Sequence, residues 1–121
     1  MAVENSIKIV GELTGLGEGQ RFAEAMSTTT TCTKDYHGIQ IQAVADTDEA
    51  LELGNVTTPQ IILIKCIAND VDVDTSYSAS FNAEITINEG EFQLFKPAGT
   101  VRIKNDDAAE AVTLEVYAWG T

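Results

Sequence analysis

Along most of the chain, hydrophobic and polar residues alternate with a period of two. Ile7, Ile9, Gly11 and Leu13 alternate with Lys8, Val10 and Glu12. Ile39, Ile41 and Ala43 alternate with Gln40 and Gln42. Phe81, Ala83, Ile85 and Ile87 alternate with Asn82, Glu84, Thr86 and Asn88. Val101 and Ile103 alternate with Arg102 and Lys104, and Val112, Leu114 and Val116 with Thr113, Glu115 and Tyr117. Successive side chains on a strand point to opposite faces, so each run predicts a strand with one buried and one wet side. Ile61 to Ile64 is instead continuously apolar, followed after Lys65 by Cys66 and Ile67. That pattern predicts a strand over 60–67 that is central in its sheet and covered on both faces.

Turn residues punctuate these runs. Gly15, Gly17 and Gly19 predict a flexible connection, and Gly54-Asn55 ends a segment. Asn88-Glu89-Gly90 reads as a hairpin loop, while Pro97-Ala98-Gly99 and Asn105-Asp106-Asp107 separate the last three strands. Helix signals are few. Asp46 with Glu49 makes a capping box for a short turn through Leu53, yet Leu51 and Leu53 also alternate as a strand would. Arg21 to Met26 is long enough for one helical turn. The stretch from Ser27 through Thr33 is mostly β-branched and suits an extended edge strand or arm. Together these predict an all-β fold: one β-sandwich domain over 1–121, jelly-roll-like, with at most one or two short helical turns. Residues 1–35 include the arm or edge strand.

Composition narrows the function. The chain has 121 residues, 44% of them hydrophobic, with 7 Lys plus Arg against 19 Asp plus Glu and a net charge of −12. Residues 1–60 carry nine acids and three bases, and residues 61–121 carry ten and four, so the acidity is even. Such a chain has no basic face for nucleic acid and is repelled by anionic lipid. No apolar run approaches the roughly 20 residues of a membrane helix. MAVENSIKIV lacks a basic region followed by an apolar core, so no secretory leader is expected. Cys32 and Cys66 then read as two small apolar thiols in a reducing compartment.

The candidate chemistry is sparse. The glycine loop at 15–19 lacks the third glycine of a dinucleotide fingerprint, because Gln20 stands in its place. Asp70, Asp72 and Asp74 have calcium-loop spacing, but Thr75 and Phe81 stand where such a loop needs glycine and glutamate. They are expected as a solvated, charge-blunted edge strand, with Val71 and Val73 on its other face. His37 is the sole histidine; with Cys32 it gives at most two of four zinc ligands, and it reads as a surface or partly buried residue. Glu89 and Glu91 read as solvated. Tyr117 and Trp119 lie on the strand face opposite Val112, Leu114 and Val116. They are expected in core or subunit contact, the alternative being a patch for a partner or sugar. No catalytic residue, metal ligand or cofactor is expected.

From Leu51 onward the order of segments carries a resemblance. LELGNVTTPQIILIKC (51–66) precedes an acidic alternating stretch, then FNAEITINEGEFQLFKP (81–97), TVRIKNDD (100–107) and VTLEVYAWGT (112–121). The order resembles that of small β-sandwich structural proteins of tailed bacteriophages, of the head decoration or cement type. The resemblance implies a virion structural protein, not an enzyme. It would be made in the host cytoplasm, sit on the outer capsid surface, and bind the major capsid protein and copies of itself as a dimer or trimer. The alternative is a receptor- or glycan-binding module of a tail fibre or baseplate, with Tyr117, Trp119 or Tyr36 as platforms.

Overall fold

The structure is a computed structural model that describes residues 4–13, 20–43, 47–105 and 110–121, with side chains described from Cys32 onward. The chain divides into two compact units, Met1–Cys32 and Thr33–Thr121. The first holds two antiparallel strands, β1 (Glu4–Leu13) and β2 (Gln20–Thr31), in register from Leu13↔Gln20 to Asn5↔Thr28. Residues 21–26, read above as a helical turn, lie inside β2, where they pair with residues 7–12 of β1 and that ladder overrides the local preference. Gly15, Gly17 and Gly19 lie outside the described residues, as does Asp46 of the capping box. Of the segment left open between helical turn and strand, Glu49 and Ala50 form a two-residue strand, while Leu51 to Leu53 are in neither a strand nor a helix.

The second unit has eight strands: β3 (Lys34–Gln42), β4 (Glu49–Ala50), β5 (Pro59–Ala68), β6 (Val71–Tyr77), β7 (Ile85–Ile87), β8 (Phe92–Phe95), β9 (Thr100–Lys104) and β10 (Val112–Gly120). They pair antiparallel from the outside inward: β3 with β10, β4 with β9, β5 with β8, β6 with β7. This is one long hairpin rolled upon itself. Pairings of β5 with β10 and β6 with β9 close the roll into two four-stranded sheets, ordered β3-β10-β5-β8 and β4-β9-β6-β7. That topology is a jelly roll, and among the described residues there is no helix.

The core is aliphatic. Ile62, Ile64 and Cys66 of β5 and Val112, Leu114, Val116 and Ala118 of β10 meet Val71, Val73, Ile87, Val101 and Ile103 of the facing sheet. Aromatic rings stay at the margin, where Tyr36 and Phe95 pack against the core. The Tyr36 ring fills the space that a side chain at Gly38 or Gly54 would need, and Gly54 (φ +56°) turns the chain in the left-handed region.

Three expectations need correction. The 88–90 turn is no hairpin loop: β7 and β8 belong to different sheets, so it carries the chain across the sandwich, with Gly90 at φ +84°. The run 81–88 is strand only over β7; residues 78–84 form a loop with Phe81 half-buried beneath Lys104. The aspartate series is not a solvated edge either. β6 lies between β9 and β7, and its ladder shifts register between Asp74 and Tyr77, which breaks the alternation. Val73 and Asp74 are therefore both buried. Asp74 accepts the backbone N–H of Ser76 through Oδ1 (3.0 Å) and that of Asn82 through Oδ2 (2.9 Å), holding the 74–82 loop.

Candidate functional site

β3 inverts its sequence pattern. Alternation places Ile39 and Ile41 inside, yet they are 63% and 62% exposed, while Gln42 is buried. The reason is the corner between the sheets. Gln40 Nε2 donates to Glu49 Oε1 (3.1 Å) and to the carbonyl of Ala50 (3.0 Å), and its Oε1 accepts the N–H of Glu52 (2.7 Å). Gln42 Nε2 donates to the Thr47 carbonyl (2.5 Å). Apolar side chains on that inner face could not bridge β3 to β4, and a shift of one residue would send every glutamine out.

The isoleucines thus join the outer face of the β3-β10-β5-β8 sheet, which nothing in the second unit covers. The register sets its side chains in rows. Asp35, Trp119 and Ile61 lie across the first; His37, Tyr117, Leu63 and Leu94 across the second; Ile39, Glu115, Lys65 and Phe92 across the third. Ile41 and Thr113 continue the fourth. Phe92 is 67% exposed, and Ile67 is exposed beside the β5–β10 register shift. This is also why Ile61–Ile64 is unbroken in sequence. β5 is interior to its sheet, but its outer side faces solvent and is apolar, so the expectation of cover on both faces is corrected.

Tyr117 and Trp119 are on this face and not in the core, contrary to the core reading. The His37 ring stacks on Tyr117 (centroids 4.1 Å, planes 8° apart), and Tyr117 is near-parallel to Trp119 (6.2 Å, 14°). At the centre, Glu115 Oε1 accepts Tyr117 Oη–H (2.5 Å) and His37 Nε2–H (2.9 Å), and Lys65 Nζ is 3.6 Å from Oε2. The Tyr117 hydroxyl foremost, then His37 and Lys65, holds the Glu115 carboxyl below its ordinary range. The same carboxylate pushes the Tyr117 phenol up. The cluster is a neutralised polar island within an apolar surface.

The other sheet shows the contrast. Its outer face carries Arg102 paired with Asp48, Thr86 Oγ1 donating to Asp72 (2.7 Å), and Arg102 over the Tyr77 ring (4.8 Å). That is the ordinary wet side of an antiparallel sheet. A cleft of about 540 Å³ opens at one end between residues 50–60 and 96–101, and Lys96 is the charged group in its lining. Among the described residues no three His, Cys, Asp or Glu side chains are grouped to hold a metal. Glu89 and Glu91 are exposed. Cys66 is a free, buried thiol pushed up to about 11 by burial and by Asp70, Glu89 and Glu91.

Sequence reasoning singled out His37, Tyr117 and Trp119 but missed Ile39, Ile41, Ile67, Phe92 and the Glu115 hub. The available signal was the run 61–64, a strand apolar on both faces, in the same chain as a strand carrying Tyr117 and Trp119 on the side opposite its core residues. The chain matches no known protein family, and no characterised protein or solved structure is detectably similar to it.

Proposed function

We propose that this protein is a virion structural protein, a capsid decoration protein that binds the major capsid lattice and reinforces it. The observation that supports this reading most is the apolar outer face of the β3-β10-β5-β8 sheet, with isoleucines pointing outward from a strand whose pattern could have buried them. Isolated surface hydrophobics are ordinary, whereas a contiguous apolar sheet face signals a surface that another protein covers. The face carries one Lys and two acids, Lys65, Asp35 and Glu115, on a chain of net charge −12. Repulsion between acidic neighbours is therefore weakest there, while the remaining acidic surface keeps the free protein soluble. Many such contacts, each modest, sum across a shell.

The test is co-sedimentation with heads assembled from the cognate major capsid protein. Ile39→Lys with Phe92→Lys should remove the protein from the head pellet while leaving its circular dichroism unchanged. Full retention by the double variant overturns the reading. The near-parallel Tyr117 and Trp119 rings favour a second reading, a receptor- or glycan-binding module, because sugar faces stack on flat exposed rings. It predicts glycan-array hits that Trp119→Ala abolishes and Phe92→Lys leaves intact.

A further inference from the structure

Each sheet of the second unit has two edges, and an edge offers unpaired backbone N–H and C=O groups to any passing strand. Three of the four edges are blunted by shortness. β4 has two residues, β7 three and β8 four, with β8 flanked by Glu91 and by Lys96-Pro97. β3 is different. It has nine residues, it ends its sheet, and its ladder partner among the described residues lies on one side only. Between Tyr36 and Gln42 it carries no Asp, Glu, Lys, Arg or Pro, in a chain where 21% of residues are charged. Charge stands only at its first two residues, Lys34 and Asp35, and the seven that follow lack the charged side chains and prolines that usually protect a long free edge.

We infer that β3 is the edge by which two copies of this chain join, antiparallel about a two-fold axis at Ile39, into one eight-stranded outer sheet. The inference rests on the reading of the protein as one held among its own copies, and it names the surface. A second copy is the occupant because the strand is complementary to itself. With the axis at Ile39, that residue faces its own copy and Ile41 faces His37 of the second copy. Asp35, the acid on this row of side chains, meets Ala43 rather than another charge. Side chains directly opposite on paired strands have Cβ atoms about 5 Å apart and contribute favourably when apolar, unfavourably when alike in charge. The pairing is isologous, so it closes at two copies, and it makes the apolar faces of both continuous. The other three edges are too short for such a ladder, whereas β3 offers seven consecutive uncharged residues, Tyr36 to Gln42.

The experiment is sedimentation equilibrium of the full chain together with cross-linking of Ile39→Cys in a Cys32→Ser background. The expected result is a dimer that Ile39→Cys links through a disulfide on mild oxidation, because the two thiols face each other across the axis. Ile39→Lys, which sets two like charges opposite each other in place of an apolar pair, should raise the dimer dissociation constant by about tenfold with unchanged circular dichroism. Phe92→Lys, at the far edge of the same face, should leave the dimer intact. A monomer at about 100 μM overturns the inference. So does a dimer that Phe92→Lys breaks and Ile39→Cys fails to link, which is face-to-face packing. Monomers that still bind heads refute the edge pairing alone; cross-linked dimers that bind no heads refute the decoration reading alone.

Discussion

The inversion of β3 can be tested on the free protein, without any partner. Ile39 and Ile41 are each more than 60% exposed, so roughly a third of each side chain is withdrawn from water. Full burial of an isoleucine contributes about 1.5–3 kcal/mol, so each holds about 0.5–1 kcal/mol of stability. Thr keeps the β-branch and the strand preference while removing apolar surface. Ile39→Thr and Ile41→Thr should therefore each cost less than about 1 kcal/mol, and both together less than about 2 kcal/mol. Ile64 is fully buried; Ile64→Thr loses its transfer energy and buries a hydroxyl, for about 3–5 kcal/mol. Gln42→Ala, which on the sequence pattern alone would touch a wet residue, should cost about 1–3 kcal/mol by emptying a buried site and removing its hydrogen bond to the Thr47 carbonyl. The assay is urea unfolding followed by circular dichroism, at dilutions where the midpoint no longer depends on protein concentration. If Ile39→Thr costs more than about 2 kcal/mol while Gln42→Ala costs nothing, the strand sits the other way round and the exposed apolar face, with the docking proposed for it, is refuted.

Other expectations follow from single contacts. Asp74→Ala removes the acceptor of two backbone N–H groups and should cost about 2–4 kcal/mol in the same unfolding assay, with Asp74→Asn losing less. A Cβ at Gly120 would lie 2.1 Å from the Thr58 carbonyl oxygen, so Gly120→Ala should destabilise by at least about 2 kcal/mol, read as a lowered thermal midpoint. In a phenolate absorbance titration Tyr117 should ionise above the ordinary value of 10.0, and Glu115→Gln should bring it back down. Because the folded carboxyl of Glu115 titrates low, its contribution to stability is complete above its ordinary value of 4.5 and is lost as pH falls through the lower folded value; Glu115→Gln should flatten that acid limb of the stability curve. Cys66 should resist a thiol reagent at pH 8 and react after unfolding, since its folded thiol is pushed up to about 11.

The strands were legible wherever one face of a strand is core and the other is water. Val101 with Ile103 and Val112 with Leu114 and Val116 alternate in sequence and are buried as the alternation requires. The jelly-roll pairing was legible only as a class, because which strand meets which depends on contacts distant in sequence. The face itself was hidden for a physical reason. Periodicity reports contrast between two sides of a strand, and a strand apolar on both sides, such as β5, looks identical whether its outer side meets protein or solvent. On β3 the contrast was present but its sign was reversed, since Gln40 and Gln42 make the corner hydrogen bonds that hold β3 against β4 and its flanks. Asp74 escaped for a third reason: a register shift of the ladder moves a side chain inward without any mark in the residue itself.

These misreadings lie close to the places where the sandwich departs from a self-sufficient fold. A chain selected for solubility alone would put Gln or Thr at 39 and 41, Lys at 92, and a charge in the middle of the long β3 edge, each at little cost to the core. Keeping Ile39, Ile41, Ile67, Phe92 and Trp119 exposed on a surface otherwise dense with carboxylates makes the free protein more prone to aggregate, and the packing of the second unit gains little from it. The Glu115 hub points the same way. Its carboxylate, which would repel an acidic neighbour, is engaged by Tyr117, His37 and Lys65 in the middle of the face. A charge neutralised in place and ringed by exposed isoleucine and aromatic side chains suits the docking surface proposed above.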